Sequence, residues 1–486
     1  MPTVFQRFHL PGWFQNRLLR RVSAVWLLFA LSALLILPNL GYPRAIIFDE
    51  TYFIPTTQRY LNNVFFQESH PPLAKLLITL GQVLVHPESR PNDFSGVEKI
   101  NRELPADQDM TGYRLMPALF GLLTPLLVFL ILGAILHREV YAFVIALFVA
   151  FDNALIVQAR AALIDSFLLV FCLAAILLFV RMVKRGGLGT AALWGVVIGC
   201  AASVKLTGLF VLVLFGAYLA RLVFAHRFRQ TILTALVFAS AFAVTFLGVW
   251  QIHFSIASKL GANDYGISEE HRRILQGIDT PDPFTRFAVQ FRDALEYQQR
   301  YEAGVPKLDL SKPDEIGSPW YLWLVGGRAI DYRWETPDGT FYRYIYLLGN
   351  PITWLVSLIG VIAGTALVLS DLLFRFLRAG NRLWLYVLVL LYWSYMIPMF
   401  IIPRVMYLYH YFPPMLIGVM LFGIVLWQAQ TLTPNLKRDT MVVALILLVF
   451  MFWVYKPLTY YDPLTREQFQ QRNIFPAWDL RCVGCK

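Results

Sequence analysis

The sequence has little charge. Of its 486 residues only 15% are Asp, Glu, Lys or Arg, whereas 57% are hydrophobic and 15% are aromatic. Soluble proteins usually contain about 25% charged residues, so this chain has too little polar surface to cover soluble domains of the size that its length suggests. A soluble enzyme, a coiled coil and a disordered chain are therefore excluded. The sequence also lacks a fixed-period repeat, a low-complexity segment and the alternating pattern of a transmembrane β-barrel.

Cysteine is scarce as well, with four residues in the whole chain. Cys172 and Cys200 lie in apolar runs, whereas Cys482 and Cys485 form a C-x-x-C pair close to the C-terminus. A zinc site needs a second pair of ligands, and none is evident in the sequence. Because an oxidising compartment permits a short-loop disulfide, we favour a structural or incidental pair over a redox or metal site.

Long apolar runs are what the sequence does contain. A bilayer core is crossed by roughly 20 apolar residues in a helix, and eleven runs of about this length predict an all-α integral membrane protein with about 11 transmembrane helices. The runs are 22–40, 115–136, 140–157, 166–181, 190–204, 206–224, 231–252, 345–369, 383–402, 406–427 and 440–456. The first is too long for a signal peptide and lacks a small-residue cleavage site, so we interpret it as a retained helix.

The basic residues predict the orientation of these helices. The formal net charge is +11, which in a soluble protein would suggest nucleic acid as a partner. In a membrane protein, Lys and Arg accumulate in cytoplasmic loops, so no nucleic-acid partner is expected. With the N-terminus inside, every inner turn carries basic residues. They are Arg138, Arg181, Lys184, Arg185, Arg221, Arg227, Arg229, Arg375, Arg378, Arg382, Lys437 and Arg438.

Two long polar segments then fall outside, at 41–113 and 253–344, and we expect each to contain short amphipathic helices. In this interpretation residues 1–456 form a transmembrane catalytic domain and residues 457–486 an external tail. The protein is expected in the plasma membrane as a multi-pass chain, with its N-terminus in the cytoplasm and its functional face and C-terminus outside.

A minority of cations contradicts the inside bias, because these residues lie at the predicted outer ends of the helices. They are Lys75, Arg114, Arg160, Lys205 and Arg404. Ionisable groups near hydrocarbon either extend to the interface or converge on a site. Snorkelling of Lys75 and an ion pair between Arg160 and Asp165 are the structural alternatives. Arg and Lys are also the residues that recognise phosphate.

Two adjacent carboxylates, Asp49 and Glu50, follow the first helix, and His70 lies in the same outer segment. Alone, the carboxylates would suggest a solvated loop or a helix cap. Next to the outer cations they suggest a general base beside an anionic lipid headgroup. Glu68 and His70 together keep a divalent cation open as an alternative, although the pair falls short of a full ligand set.

Several motifs resemble the protein O-mannosyltransferase family. They are FDE at 48–50, HPPLAK at 70–75, YRLMPALFG at 113–121, DNALIVQARAALIDSFLL at 152–169, SVKLTGLF at 203–210, SPWYLW at 318–323, YLLGNPITW at 346–354 and RVMYLYHYFPPML at 404–416. The resemblance covers most of the chain. It implies the GT-C fold and an inverting transfer of mannose from a polyprenyl-phosphate-mannose donor to Ser or Thr hydroxyls of secreted or membrane proteins.

The resemblance also implies roles for individual residues. Asp49 matches the catalytic acidic position and is expected to be the base, with Glu50 orienting it or the acceptor. Arg114 is expected near the donor phosphate. The remaining donor residues are predicted to be Arg160, Lys205, Arg404 and His410, with His70, Lys75 and Asp165 in support.

Segment 253–344 is too short for the β-trefoil-type domain that eukaryotic members insert there, so the chain resembles a bacterial member that uses decaprenyl or undecaprenyl phosphate. Protein translocation machinery is a possible further partner. Two other functions stay open, namely a GT-C transferase with a lipid or glycan acceptor and a lipid-linked sugar flippase.

Overall fold

The structure is a computed structural model that describes residues 17–87, 108–261, 266–312, 315–336, 339–375, 377, 379–429 and 433–482. Arg378 and Cys485 lie outside the described residues. So does 88–107, a part of the first polar segment.

Helices account for most of the described chain, together with one small sheet. The helices are α1 (Arg17–Ile36), α2 (Glu50–Leu61), α3 (Leu73–Val85), α4 (Thr111–Leu136), α5 (Glu139–Ala150), α6 (Asn153–Arg160), α7 (Asp165–Arg185), α8 (Leu188–Val204), α9 (Leu212–Phe224), α10 (Phe228–Ile256), α11 (Glu269–Leu275), α12 (Pro283–Gly304), α13 (Trp320–Trp323), α14 (Pro351–Phe374), α15 (Ala379–Ile401), α16 (Phe412–Gln428), α17 (Pro434–Tyr460) and α18 (Arg466–Gln470). The strands are β1 (Ile330–Glu335) and β2 (Arg343–Leu347).

Each of the eleven predicted apolar runs contains a helix. Within the described residues, nine helices are long and apolar enough to cross a membrane, and the number is ten if the bent pair α5 and α6 counts as one span. The run at 190–204 forms α8, which with 17 residues is too short to be counted among these spans. The prediction of a helical, multi-pass membrane protein is confirmed, while two of the eleven runs are a bent and a short helix.

The predicted ends of two runs were wrong. The first helix ends at Ile36 rather than 40, because Pro38 cannot continue a helix. The run from 345 begins as strand β2, and helix α14 starts only at Pro351, where the Asn350 side chain accepts a hydrogen bond from the Ile352 N–H (3.1 Å). Proline at the first helical position and Asn at the cap are favourable start signals.

A buried carboxylate stabilises the bend between α5 and α6, where the helix axes differ by 65°. Asp152 accepts hydrogen bonds from Leu155 N (3.0 Å), Asn350 N (3.0 Å) and the Trp354 indole (3.2 Å). Asn350 in turn donates to the carbonyls of Phe151 (3.2 Å) and Leu448 (3.0 Å). Two motifs almost 200 residues apart are therefore joined at the break, which fixes the direction of α6.

The two polar segments contain the predicted short helices and an unpredicted sheet. The first segment forms α2 and α3, and the second forms α11, α12 and α13 before β1 and β2. The strands pair antiparallel from Ile330 opposite Leu347 to Glu335 opposite Arg343, with an irregularity between Asp331 and Arg333. This sheet forms one wall beside the candidate site.

The C-terminal tail packs against this sheet. Tyr342 of the connection before β2 exchanges backbone hydrogen bonds with Leu464 (2.8 and 2.9 Å), and Phe469 and Trp478 join the buried aromatic cluster on β2. Cys482 is disulfide-bonded, and its sulfur lies 3.5 Å from the Tyr344 hydroxyl. Cys172 and Cys200 are free thiols.

The burial of Asp331, at the irregularity of β1, predicts that the stability of the folded protein depends on pH. Burial raises its pKa to about 7, whereas an unfolded Asp titrates near pH 3.9. Between these values the unfolded state binds fewer protons, so the stabilisation is complete below about pH 4 and is lost as the pH rises through about 7. We expect the thermal midpoint of the wild type in detergent to fall between pH 5 and 8, and Asp331→Asn to reduce that fall.

The matched control is Asp279→Asn. Asp279 is exposed, and the hydrogen bond from Arg273 lowers its pKa, so it is already ionised throughout this pH range. Its variant should keep the wild-type slope. An unchanged slope in Asp331→Asn would contradict the assignment.

Candidate active site

A cavity of about 380 Å³ brings together five of the predicted site residues from four distant parts of the chain. They are Asp49, His70, Lys205, Arg404 and His410. Within the described residues, the lining of this cavity does not include Glu50, Lys75, Arg114, Arg160 or Asp165. The predicted residues thus divide into a group that faces the cavity and a group behind it.

Asp49 is held in the cavity wall by the residues on either side of it. Phe48 has a positive φ of 46°, and its ring stacks on Tyr332 of β1 with ring centroids 4.2 Å apart. The Phe48 N–H also donates to the Tyr332 carbonyl (3.2 Å). Asp49 is the N-cap residue of α2, and its side chain lines the cavity rather than capping the helix. The predicted base is therefore attached to β1 on its N-terminal side.

Glu50 anchors the other side through a fully buried ion pair with Arg114. Its two carboxylate oxygens accept from Arg114 Nε (2.7 Å) and an Arg114 terminal nitrogen (2.9 Å), and from the backbone N–H groups of Ile47 and Ala162 (2.8 Å each). Neither side chain of the ion pair is exposed. Glu50 thus accepts four hydrogen bonds and anchors the segment behind the cavity. Of its two expected roles, orienting Asp49 or the acceptor, these contacts favour the first.

Arg114 is saturated too. Beyond its two bonds to Glu50 it donates to the carbonyls of Leu40 (3.3 Å), Pro43 (2.9 Å) and Ala45 (2.8 Å), which engages all five guanidinium N–H groups. These contacts assign Arg114 to positioning the Asp49 segment, and its expected place near the donor phosphate stays a prediction. A motif residue that positions the Asp49 segment and one that binds substrate look alike in sequence.

Arg160 also makes structural contacts, and its predicted part in donor binding stays a prediction. Its guanidinium donates to the carbonyls of Ile36 (2.6 Å), Pro38 (2.8 Å) and Asn39 (3.1 Å) and lies over the Tyr460 ring. These acceptors include the carbonyl at the end of α1, where a cation is favourable. Arg160 thus ties α6 to the end of the first helix.

Lys75 is fully buried, so the snorkelling alternative was wrong. Its ammonium binds the Glu68 carboxylate (2.9 Å) and the His70 carbonyl (2.9 Å), and Glu68 also accepts from the Thr56 hydroxyl (3.0 Å). Lys75 therefore supports the turn that carries His70. Glu68 lines the cavity but is already committed to these two donors.

A chain of polar contacts links Lys205 to β1. The Lys205 ammonium binds Asp165 (3.0 Å), Gln158 donates to Asp165 (2.6 Å), and the Tyr332 hydroxyl donates to Gln158 (2.9 Å). Asp165 therefore pairs with Lys205, not with Arg160 as the structural alternative proposed. Tyr332 also stacks on Phe48. This series of contacts therefore fixes the position of Lys205 relative to the segment that carries Asp49.

Arg404 and His410 flank the cavity on the segment before α16, with His410 in a short 3₁₀ helix (Leu408–Tyr411). Arg404 pairs with Glu302 of α12 (3.0 Å), whose side chain is about half exposed, and its backbone bridges to Lys307. The His410 ring contacts the Tyr407 backbone through Nδ1 (3.2 Å to N) and stacks near Tyr409. Because Glu302 is exposed to solvent, Arg404 can exchange this carboxylate for a phosphate.

The electrostatics favour an anion. Burial lowers the pKa of His70 well below its usual range, and nearby basic side chains lower it further. These side chains are Lys205, Lys75, Arg404 and His410. Burial raises the pKa of Tyr407, and the negative charge of Asp49 raises it further. The cavity thus combines a neutral histidine, several cations and the Asp49 carboxylate, whose negative charge acts on Tyr407.

Aromatic side chains complete the cavity, and the sequence analysis missed them. They are Tyr52, Tyr297, Tyr301, Tyr407 and Tyr409. The tyrosines of the YLYHY motif were a visible signal, whereas Tyr297 and Tyr301 lie one turn apart on α12 without any motif. Stacking on aromatic rings and hydrogen bonds from their hydroxyls suit a ligand with both apolar and polar faces.

A metal site at Glu68 and His70 finds no support in the ligand geometry. Among the residues that the structure describes, no group of three or more His, Cys, Asp or Glu side chains comes together as a metal would require. The Glu68 carboxylate is instead paired with Lys75.

Family models match two separate parts of this framework. Residues 26–257 match the model described as dolichyl-phosphate-mannose-protein mannosyltransferase, and residues 291–478 match the C-terminal four-transmembrane region of protein O-mannosyltransferase. The chain belongs to the protein O-mannosyltransferase family. The first match contains Asp49, His70 and Lys205, and the second contains Arg404 and His410, so the cavity is assembled from both.

Individual relatives agree with this assignment. Protein O-mannosyltransferase 1 of Drosophila pseudoobscura pseudoobscura is 30% identical over 269 residues, which are 52% of this chain and 29% of the relative. Dolichyl-phosphate-mannose–protein mannosyltransferase 1 of Candida albicans is 27% identical over 51% of this chain and 29% of the relative. The chain thus matches about a third of the length of such curated relatives.

Solved structures show the same fold. A chain of the S. cerevisiae protein O-mannosyltransferase Pmt1-Pmt2 complex, bound to the sugar donor, aligns with a TM-score of 0.82 at 16% identity, over 96% of this chain and 93% of that one. The Archaeoglobus fulgidus oligosaccharyltransferase aligns with a TM-score of 0.52 at 11% identity, over 96% and 60%. The predicted GT-C fold is confirmed.

The buried pair makes a prediction that separates anchoring from donor binding. We expect Arg114→Gln or Glu50→Gln alone to lower the free energy of unfolding by about 3–5 kcal/mol, because each leaves an uncompensated buried charge. The double variant should lose less than the sum of the two, since the residues interact directly. Unfolding in detergent measures both quantities.

Arg272→Gln is the control, because its pair with Glu269 is largely exposed and should contribute little. An Arg114→Gln protein with wild-type stability and a raised KM for the donor would return Arg114 to the donor phosphate.

Proposed function

We propose that this protein is an inverting glycosyltransferase that moves mannose from polyprenyl-phosphate mannose to Ser or Thr hydroxyls of proteins. The observation that carries the proposal is the composition of the cavity: the Asp49 carboxylate lies in the same space as Lys205 and Arg404. A base and a set of phosphate-binding cations are the two components that such a transfer needs.

In the proposed mechanism Asp49 accepts the proton of the acceptor hydroxyl while the oxygen attacks the anomeric carbon of mannose. The bond from that carbon to the phosphate oxygen breaks, and the electron pair leaves with the polyprenyl phosphate. Lys205 and Arg404 stabilise the phosphate as it departs. Holding the reactants in one cavity supplies the proximity that a displacement requires.

Inversion is proposed because the mechanism uses Asp49 as the base and assigns no second carboxylate as nucleophile. Retention needs a second carboxylate that acts as nucleophile. Glu68 also lines the cavity, but its carboxylate accepts hydrogen bonds from Lys75 and Thr56. Glu50 lies behind the cavity, fully buried in its ion pair with Arg114. A single displacement therefore suits the arrangement.

The names of the relatives support the choice of donor and acceptor. The C. albicans relative is named a dolichyl-phosphate-mannose–protein mannosyltransferase, and the yeast complex was solved with the sugar donor. We propose a polyprenyl phosphate, decaprenyl or undecaprenyl, as the carrier and a secreted or membrane protein as acceptor. Protein translocation machinery is proposed as a further partner that would deliver unfolded acceptor chains.

The proposed orientation places the cavity and the C-terminus at the outer face of the plasma membrane, with the N-terminus in the cytoplasm. Helix α4 supports it: Arg114 near its start lies beside the Asp49 segment, and its 26 residues extend about 39 Å to the basic end at Arg138. Lys and Arg mark the cytoplasmic side. The site therefore belongs to the opposite side.

Replacement of the proposed base gives the central test. We expect Asp49→Asn to lower the turnover of labelled polyprenyl-phosphate mannose to a Ser/Thr-rich peptide by about 10²- to 10⁴-fold, because an amide cannot accept the proton. Donor binding and thermal stability should stay at wild-type values. The control Asp309→Asn changes an exposed carboxylate bonded to Ser311 and should leave turnover unchanged. Retained activity in Asp49→Asn would disprove the role of base.

The same assay separates the acceptor classes. Label on the peptide supports protein mannosylation, label on lipid or glycan supports the other GT-C reaction, and transport of intact donor without any product supports a flippase.

Arg404 provides a test of the donor phosphate site. We expect Arg404→Gln to raise the KM for the donor roughly 10- to 100-fold, as expected for loss of hydrogen bonds to a charged group. Lys307→Gln is the matched control, since Lys307 is exposed and bridges to Arg404 only through its backbone. Equal KM values for the two variants would place the phosphate elsewhere.

A further inference from the structure

A second cavity, of about 720 Å³, lies at the end of the helices opposite the candidate active site. The start of α1, the connection from α4 to α5, the end of α16 and the start of α17 form its walls. Its volume falls within the range typical of small-molecule and cofactor sites. Neither the proposed reaction nor the contacts among the motifs account for it.

Four cations surround this cavity, and apolar side chains form its remaining walls. The cations are Arg20, Arg138, Lys437 and Arg438. The apolar lining residues are Val140, Val144, Met441, Val442 and Leu445. Glu139 is the one acidic residue among the described lining residues, which leaves the formal charge of the lining positive. A positive rim above an apolar wall matches an anionic headgroup joined to hydrocarbon chains.

Trp427 fixes two of the cations at the rim. The Arg138 guanidinium lies 5.2 Å from the centre of its ring, and the Lys437 ammonium donates to its carbonyl (3.1 Å). Tyr141 packs against the same indole at 5.4 Å and donates to the Gly423 carbonyl (2.9 Å). Trp and Tyr characteristically lie at the membrane–water interface. This end of the cavity is therefore at headgroup level, with its cations held in place.

Orientation of the helices alone does not require these features. Cations that only mark the cytoplasmic side can extend into water, as the exposed Arg227 and Arg229 do at the start of α10. Here the cations converge from three elements on one enclosed space. Basic pockets between transmembrane helices on this side bind anionic lipid headgroups.

We infer that this cavity is a binding site for an anionic phospholipid, with the headgroup phosphate held by Arg138 and Lys437 and an acyl chain against Val144 and Val442. The lipid would contact α1, α5, α16 and α17 at the end of the bundle where α17 begins. Because the site is far from Asp49, its occupancy is independent of the proposed transfer reaction.

Native mass spectrometry of the full chain in detergent, titrated with phosphatidylglycerol or phosphatidylcholine, tests the inference. We expect a preference for phosphatidylglycerol, and a loss of affinity of about fivefold per removed cation, hence roughly 25-fold in Arg138→Gln/Lys437→Gln. Arg227→Gln/Arg229→Gln is the matched control with the same change of charge and should keep the wild-type affinity.

A second variant leaves the charges in place. Val442→Trp fills the cavity and should weaken binding of phosphatidylglycerol while thermal unfolding shows a folded protein. Equal losses in the two double variants would mean general electrostatic attraction and would overturn the inference. The inference would also be overturned if Arg138→Gln/Lys437→Gln and Val442→Trp both kept the wild-type affinity. Displacement of the lipid by inorganic phosphate at equal concentration would overturn it too.

Discussion

The Glu50–Arg114 ion pair is the constraint on which the rest of the site depends. Both side chains are fully buried, and an isolated buried charge is prohibitively unfavourable, so each must satisfy the other and the remaining lone pairs and N–H groups need further partners. Those partners are the carbonyls of the chain between α1 and α2 and the backbone before α7. One buried pair thus joins three segments that carry or surround Asp49, and the position of the proposed base follows from it.

The cavity cations are balanced before any substrate arrives. Lys205 pairs with Asp165 and Arg404 with Glu302, so neither is left as an unpaired charge close to hydrocarbon, where it would be costly. The two pairs differ in exposure: the Lys205 pair is nearly buried and linked to Tyr332 through Gln158, whereas Glu302 is half exposed. In the proposed reaction, a phosphate would meet one rigid cation and one whose partner is exposed to solvent, which suits the binding and release of a lipid-linked donor.

Hydropathy and charge were sufficient to predict the helical membrane architecture, because about 20 consecutive apolar residues have few other stable arrangements. They also placed Asp49, Lys205 and Arg404 on one face, and the family resemblance added His410. Hydropathy and charge do not predict which partner a side chain binds in the folded protein. Arg114 and Arg160 bind carbonyls of a loop that hydropathy cannot fold, and β1 brings Tyr332 to Phe48 across more than 280 residues. Motifs identify constrained residues, but substrate binding and burial impose equally strong constraints.

The adjacent acids Asp49 and Glu50 illustrate this limit and its resolution. Successive residues at a helix start point in directions about 100° apart, and here the two neighbouring carboxylates lie on different sides of the segment. Glu50 faces inward to Arg114, and Asp49 faces the cavity at the N-terminus of α2. The positive end of a helix dipole favours a carboxylate at that position, as do the neighbouring cations. The sequence motif thus combines a buried acid, Glu50, with a neighbouring acid in the cavity, Asp49, and the first determines where the second lies.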